Sequence, residues 1–192
     1  MVSMKVFICW SFMVLCLTLP LAAGSITYTM TGDISGSLNG VDFSNAAFTF
    51  VLDGTTAGVA SDGAGDLINE ATSNSISIVG FASDEFTGGI DAYATPLLGD
   101  AGIVNSTESA GIVIANPGFV GWNLATSLGP LDASGGASIE GTLDTTLGVL
   151  AITDATNVSF GASTAAVPEP ASVELVALSL LGIALCRRWV RG

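Results

Sequence analysis

The chain has 192 residues, seventeen Asp and Glu against four Lys and Arg, no His, and a formal charge of −13. Its 49% hydrophobic content excludes a disordered acidic chain, which would lack the apolar surface to offset ordering entropy. The acidic balance excludes a nucleic-acid binder that neutralises phosphates, and the lack of His, with only three Cys, excludes most zinc, haem and nucleophile–imidazole chemistry.

In chain order, residues 1–24 read first as a secretory signal peptide. Lys5 supplies a positive start, residues 6–19 form an apolar run, and Pro20 ends any helix. Leu21-Ala22-Ala23-Gly24 then places small residues where signal peptidase cuts, so cleavage after Ala23 or Gly24 is expected. The alternative is a membrane helix, for which about fourteen apolar residues are short. The expected partners of this segment are the Sec machinery and signal peptidase.

Residues 25–164 are a different material. All four bases (Lys5, Arg187, Arg188, Arg191) and all three cysteines lie in the terminal segments, whereas fifteen acids fall between Ser25 and Ala166. Ile26, Tyr28 and Met30 alternate with Thr27, Thr29 and Thr31, the two-residue period of a half-buried strand. Phe48, Phe50 and Leu52 repeat it. Further strands are expected at 34–38, 75–79, 90–94, 111–115, 119–124, 137–143, 147–153 and 157–161, separated by turn pairs such as Asn39-Gly40, Asn116-Pro117 and Gly135-Gly136. Residues 66–71 could give one helical turn. Short strands with this punctuation predict an all-β fold, an antiparallel β-sandwich of jelly-roll-like or immunoglobulin-like form. Ile34-Ser35-Gly36-Ser37-Leu38 and Ile139-Glu140-Gly141-Thr142-Leu143 echo one another, either as strands in equivalent positions or as coincidence in a simple composition.

Carboxylates and hydroxyls are the reactive groups left to this domain. Asp84-Glu85 is its adjacent acidic pair, but neighbours on a strand point to opposite faces. Asp144-Thr145-Thr146 lacks the glycine of an aspartic protease. Both read as solvated turn acids, and no catalytic residue is expected. Asp62, Asp66 and Glu70 fall in a glycine-rich segment whose hard oxygens would suit Ca²⁺, although the spacing is not that of an EF-hand. Trp122, between Gly121 and Asn123, and Tyr93 are the aromatics that could reach a surface and stack on a carbohydrate, although a core position is the favoured reading for each. Fifteen like charges should make the fold firmer in salt or divalent cations.

At the C-terminus, Val167-Pro168-Glu169-Pro170 precedes an apolar run from Ala171 to Cys186 and the bases Arg187, Arg188 and Arg191. A helix can begin only after Pro170, and its sixteen residues would span roughly 24 Å at 1.5 Å each. The arginines hold their side on the cytoplasmic face by the positive-inside rule and act as a stop-transfer signal. A single transmembrane helix is therefore expected, with Glu174 at its outer end.

The order of these parts, with Leu180-Leu181-Gly182 inside the helix, resembles a PEP-CTERM sorting signal over residues 165–192. Glu174 departs from the pattern. The resemblance implies export by a Gram-negative bacterium that makes extracellular polysaccharide, a transient membrane anchor, and processing at the Pro-Glu-Pro motif by an exosortase. It further implies a non-enzymatic surface or matrix protein, structural or adhesive in an exopolysaccharide or biofilm layer. The alternative is a carbohydrate- or calcium-binding β-sandwich module.

Overall fold

The computed structural model describes residues 23–61, 63 and 65–165, which form two antiparallel sheets packed as a sandwich. The first sheet contains β1 (Ser25–Leu38), β2 (Val41–Thr55), β5 (Ser73–Ile78), β9 (Leu128–Asp132), β11 (Thr142–Thr145) and β12 (Gly148–Thr164). The second contains β3 (Val59–Ser61), β4 (Leu67–Glu70), β6 (Ile90–Thr95), β7 (Asp100–Asn105), β8 (Gly111–Ala115) and β10 (Ala137–Glu140). Contacts gather Ala23–Ala165 into one unit.

β1 is the axis of the first sheet. Its alternation buries Ile26, Tyr28 and Met30 completely and turns Thr27, Thr29 and Thr31 outward. Each such large apolar side chain contributes about 1.5–3 kcal/mol on burial. Asn39 and Gly40 join β1 to β2 with both φ angles positive, 50° and 79°, as a two-residue hairpin loop of matching twist requires. On its other side β1 pairs with β12, from Ile26 against Thr164 to Leu38 against Leu150.

Two strands expected at 147–153 and 157–161 are one strand. The inward residues of β12 run Leu150, Ile152, Ala155, Val158, Phe160, with two steps of three where a flat strand takes two. Each long step coincides with a register slip against β1, between Ser35 and Gly36 and between Thr31 and Asp33. A bulge adds one residue and restores the inward phase without ending the strand.

The first sheet runs β11-β12-β1-β2-β5, with β9 beside the far half of β12. Residues 84–87 then tie its two outer strands together. Ile76 N donates to Asp84 O at 2.7 Å, Asp84 N to Ile76 O at 2.9 Å, and Thr87 N to Asp144 O at 2.9 Å. This strap drives Phe86 inward, edge-on to Phe50 at 5.3 Å between ring centroids.

The second sheet runs β10-β8-β7-β6-β4-β3. It presents Ile90, Ala92, Ala94, Ile103, Ile112 and Ile114 to the core, opposite the larger rings of Tyr28, Phe50 and Phe160.

Three expectations are corrected here. Residues 119–124 are not a strand: Asn116 accepts from Gly118 N at 2.8 Å and starts a 3-10 turn at Pro117–Phe119, after which Leu124 takes a φ of 57°. Residues 66–71 are not helical; β4 occupies them because Leu67 and Asn69 face the core while Ile68 and Glu70 do not. β3, β7 and β9 arise in segments too rich in small residues to show a period. The echoing pentapeptides are half equivalent. Leu38 and Leu143 pair with Leu150 from its two sides, but Ile139 belongs to the second sheet. The chain crosses between sheets at Gly141, with φ 59° and no room for a side chain, since a Cβ would come within 2.6 Å of Ser109 O.

Among the described residues no helix is long and apolar enough to cross a membrane. The expected signal peptide and sorting tail, including Val167, Pro168, Glu169, Pro170, Arg187, Arg188 and Arg191, lie outside the described residues except for residues 23, 24 and 165.

Candidate functional site

The outward side of the second sheet carries an open depression of about 330 Å³. β6 sets its geometry. Ile90, Ala92 and Ala94 face the core, so Asp91, Tyr93 and Thr95 must face away from it. Register then builds two rows across the face. Ile68, Tyr93, Gly102, Val113 and Ser138 form one; Glu70, Asp91, Val104, Gly111 and Glu140 form the other. Gly102 and Gly111 bring no side chains to the middle of these rows. At Gly102 a Cβ would come within 2.1 Å of Ile112 O, so the backbones can approach only as glycine.

Tyr93 stands at one side of the depression, with Asp100, Glu108 and Glu140 around it. Its hydroxyl accepts a hydrogen bond from Thr95 Oγ1 at 2.8 Å. Burial, aided by the carboxylates of Asp66 and Glu108, pushes this hydroxyl above the usual tyrosine range, so it stays neutral at physiological pH. The surface offers one aromatic ring, a serine hydroxyl and several carboxylate oxygens, with no cation. It can accept hydrogen bonds and stack; it repels anions.

Asp91 is the unexpected member of this face. Only 3% of it is exposed, and its Oδ1 has no hydrogen-bond partner. Burial first, then the charges of Glu70 and Glu108, push its carboxyl above the ordinary range. Sequence reasoning missed it because an acid alternating with Ile90 and Ala92 reads as an exposed, outward residue.

Trp122 takes the core position favoured for it and is 6% exposed. Its ring meets Tyr28, Phe119 and Phe160 at centroid distances of 6.3, 6.1 and 6.0 Å, and its Nε1 donates to Thr126 O at 3.0 Å. The loop that carries it folds onto the aromatic cluster, so it offers no stacking platform. Of the two aromatics singled out, Tyr93 alone reaches the open face.

The oxygen-rich segment expected to suit Ca²⁺ is described only in part. Asp62 lies outside the described residues, Asp66 precedes β4, and Glu70 stands exposed opposite Asp91. Among the described residues no three acidic, His or Cys side chains converge as a metal site.

The other buried acid, Asp84, is part of the strap. Its Oδ1 accepts from Thr146 Oγ1, from Glu85 N at 2.8 Å and from Leu147 N at 3.2 Å. Burial opposes ionisation, but bonds from Thr145, Thr146, Glu85 and Leu147 outweigh it and hold the carboxyl below the usual range. These bonds fasten the strap to the β11–β12 turn. Asp144, the other acid considered for catalysis, is exposed on β11.

Compared with protein-family models, curated proteins and solved structures, the chain matches none.

Proposed function

We propose that the protein is exported, processed by an exosortase at Val167-Pro168-Glu169-Pro170, and retained as a structural or adhesive component of an extracellular polysaccharide layer. The observation that carries this reading is the order of the tail: Pro-Glu-Pro, apolar run, then Arg187, Arg188 and Arg191. Each part has a physical task. The prolines keep the junction extended and out of the helix. The apolar run halts export, and the arginines resist being drawn through the membrane. The domain between the two signals suits an exposed layer, since its fifteen acids repel one another and keep neighbouring copies apart.

The test is the intact mass of the protein from cells and from medium. Loss of the 22 residues after Pro170 in a strain with exosortase, and a full tail in a strain without it, is expected. A full tail in both would refute the reading.

A second reading, that the sandwich is a carbohydrate-binding module comparable to jelly-roll-like or immunoglobulin-like modules, is favoured by the depression beside Tyr93. An aromatic face with hydroxyl and carboxylate acceptors is the chemistry that holds a neutral sugar. Retention of the protein on polysaccharide from the producing cells, lost in Tyr93→Ala, is the outcome this reading requires.

A further inference from the structure

Asp91 poses a problem that the described residues do not solve. Its Oδ1 is enclosed and unpartnered. Among the described residues, every titratable group facing it is acidic or neutral: Glu70 opposite on β4, Glu108 from the turn after β7, and Tyr93 on β6 itself. β7 sets Val104 beside it, which carries no charge. A buried carboxylate among like charges is strongly disfavoured unless something neutralises it. No Lys, Arg or His exists between Ser25 and Ala166 to do so. The described residues supply no compensating charge. A metal ion needs several converging ligands and a way in; no three acids converge among the described residues, and the orphan oxygen is closed off. A proton needs neither.

We infer that Asp91 is a proton-binding site that makes the outward face of the second sheet responsive to pH. With the proton in place, Asp91 is neutral, and β4, β6 and the turn after β7 pack around it. When the proton leaves, a third negative charge appears between Glu70 and Glu108. Repulsion then loosens the face that Tyr93 lines. The sign follows from the upward displacement of this carboxyl: the folded state holds the proton more tightly than the unfolded chain does. The contribution to stability is therefore present in acid and is lost as pH rises through the folded-state value.

The test uses the full chain in mild detergent. Thermal unfolding is followed from just below the ordinary aspartate range of about 4 to about pH 8 for the natural protein and for Asp91→Asn, which keeps the shape and has no proton to lose. The natural protein should lose several degrees of Tm across this interval. Asp91→Asn should lose clearly less and should melt above the natural protein at the alkaline end. Parallel curves would overturn the inference, because the remaining carboxylates would then account for the whole slope. A lower Tm for Asp91→Asn at every pH would also overturn it, by showing that the ionised group has a stabilising partner. So would a rise in Tm with millimolar Ca²⁺ at the alkaline end that Asp91→Asn abolishes, since the external charge would then be a metal. Should Asp91→Asn fail to accumulate, Glu70→Gln decides: the loss of Tm should become smaller and be complete at lower pH, and an unchanged curve would refute the site.

Discussion

Asn69 Nδ2 donates to the Tyr28 hydroxyl at 2.6 Å, and this bond joins the second sheet to the first through the middle of the core. The hydroxyl passes its own proton to Leu124 O at 2.6 Å. One phenol thereby fixes β4, β1 and the loop that carries Trp122. Tyr28→Phe should cost about 1–3 kcal/mol, since it leaves a buried carbonyl and a buried amide short of a partner. Urea unfolding measures it. A change within about 0.5 kcal/mol, typical of surface sites, would show that the network contributes little.

Burial also pushes the Tyr28 hydroxyl up to about 12. The folded state then keeps this proton beyond the ordinary tyrosine range near 10. The associated stability is complete below that range and is lost as pH climbs toward the folded value. Ultraviolet titration should show Tyr93 and Tyr28 ionising separately, Tyr28 last. A single unshifted transition would contradict the enclosed hydroxyl.

Asp84 has the opposite sign. Its carboxyl is held below the ordinary range, so its contribution is present at neutral pH and is lost as pH falls through the folded-state value. Asp84→Ala removes hydrogen bonds to a charged acceptor and should cost about 1.5–3 kcal/mol at neutral pH. The penalty should shrink in strong acid. A penalty independent of pH would mean that the side chain acts only by filling space.

Trp122 and Tyr93 should separate cleanly under substitution. Trp122→Ala opens a cavity in the aromatic cluster and should destabilise by about 3–5 kcal/mol. Tyr93→Ala, on the outward face, should cost far less and should spare the Trp122 fluorescence. Equal losses would place Tyr93 in the core as well.

Leu150 receives Leu38 on one side and Leu143 on the other. Leu150→Ala should cost about 2–5 kcal/mol, and Leu38→Ala combined with Leu143→Ala should deviate from additivity, because the two share this neighbour. Denaturant midpoints for the set supply the check. Strict additivity would show that the three leucines do not pack as one ridge.

Much of this fold could be read from residue order where one period held. β1 and the second half of β2 alternate without interruption, and Asn39-Gly40 marks their turn. β12 looked like two strands because bulges shift its phase twice, and residue order shows a broken period without showing that pairing continues across it. Residues 119–124 carry the apolar content of a strand, but the Asn116 cap and Pro117 commit them to a 3-10 turn. The site was legible only in part. Tyr93 was visible as an aromatic in a short alternating run. Asp91 was not, since alternation places it on the outward face and does not show that tertiary packing covers it there. Trp122 takes the favoured core position, but its flanking Gly121 and Asn123 describe only a loop and not the aromatic cluster that the loop packs against.

The pairing of β1 with β12 sets how the domain answers a pull. Ala165 N donates to Ser25 O at 3.1 Å, so both ends of the domain leave from the same end of one ladder. Tension applied between those two ends peels the ladder open rung by rung, like a zipper, at modest force. Tension between residue 165 and the far end of β1 at Leu38 loads the same rungs together and must rupture many at once. Where force enters the domain therefore decides whether it yields easily or resists.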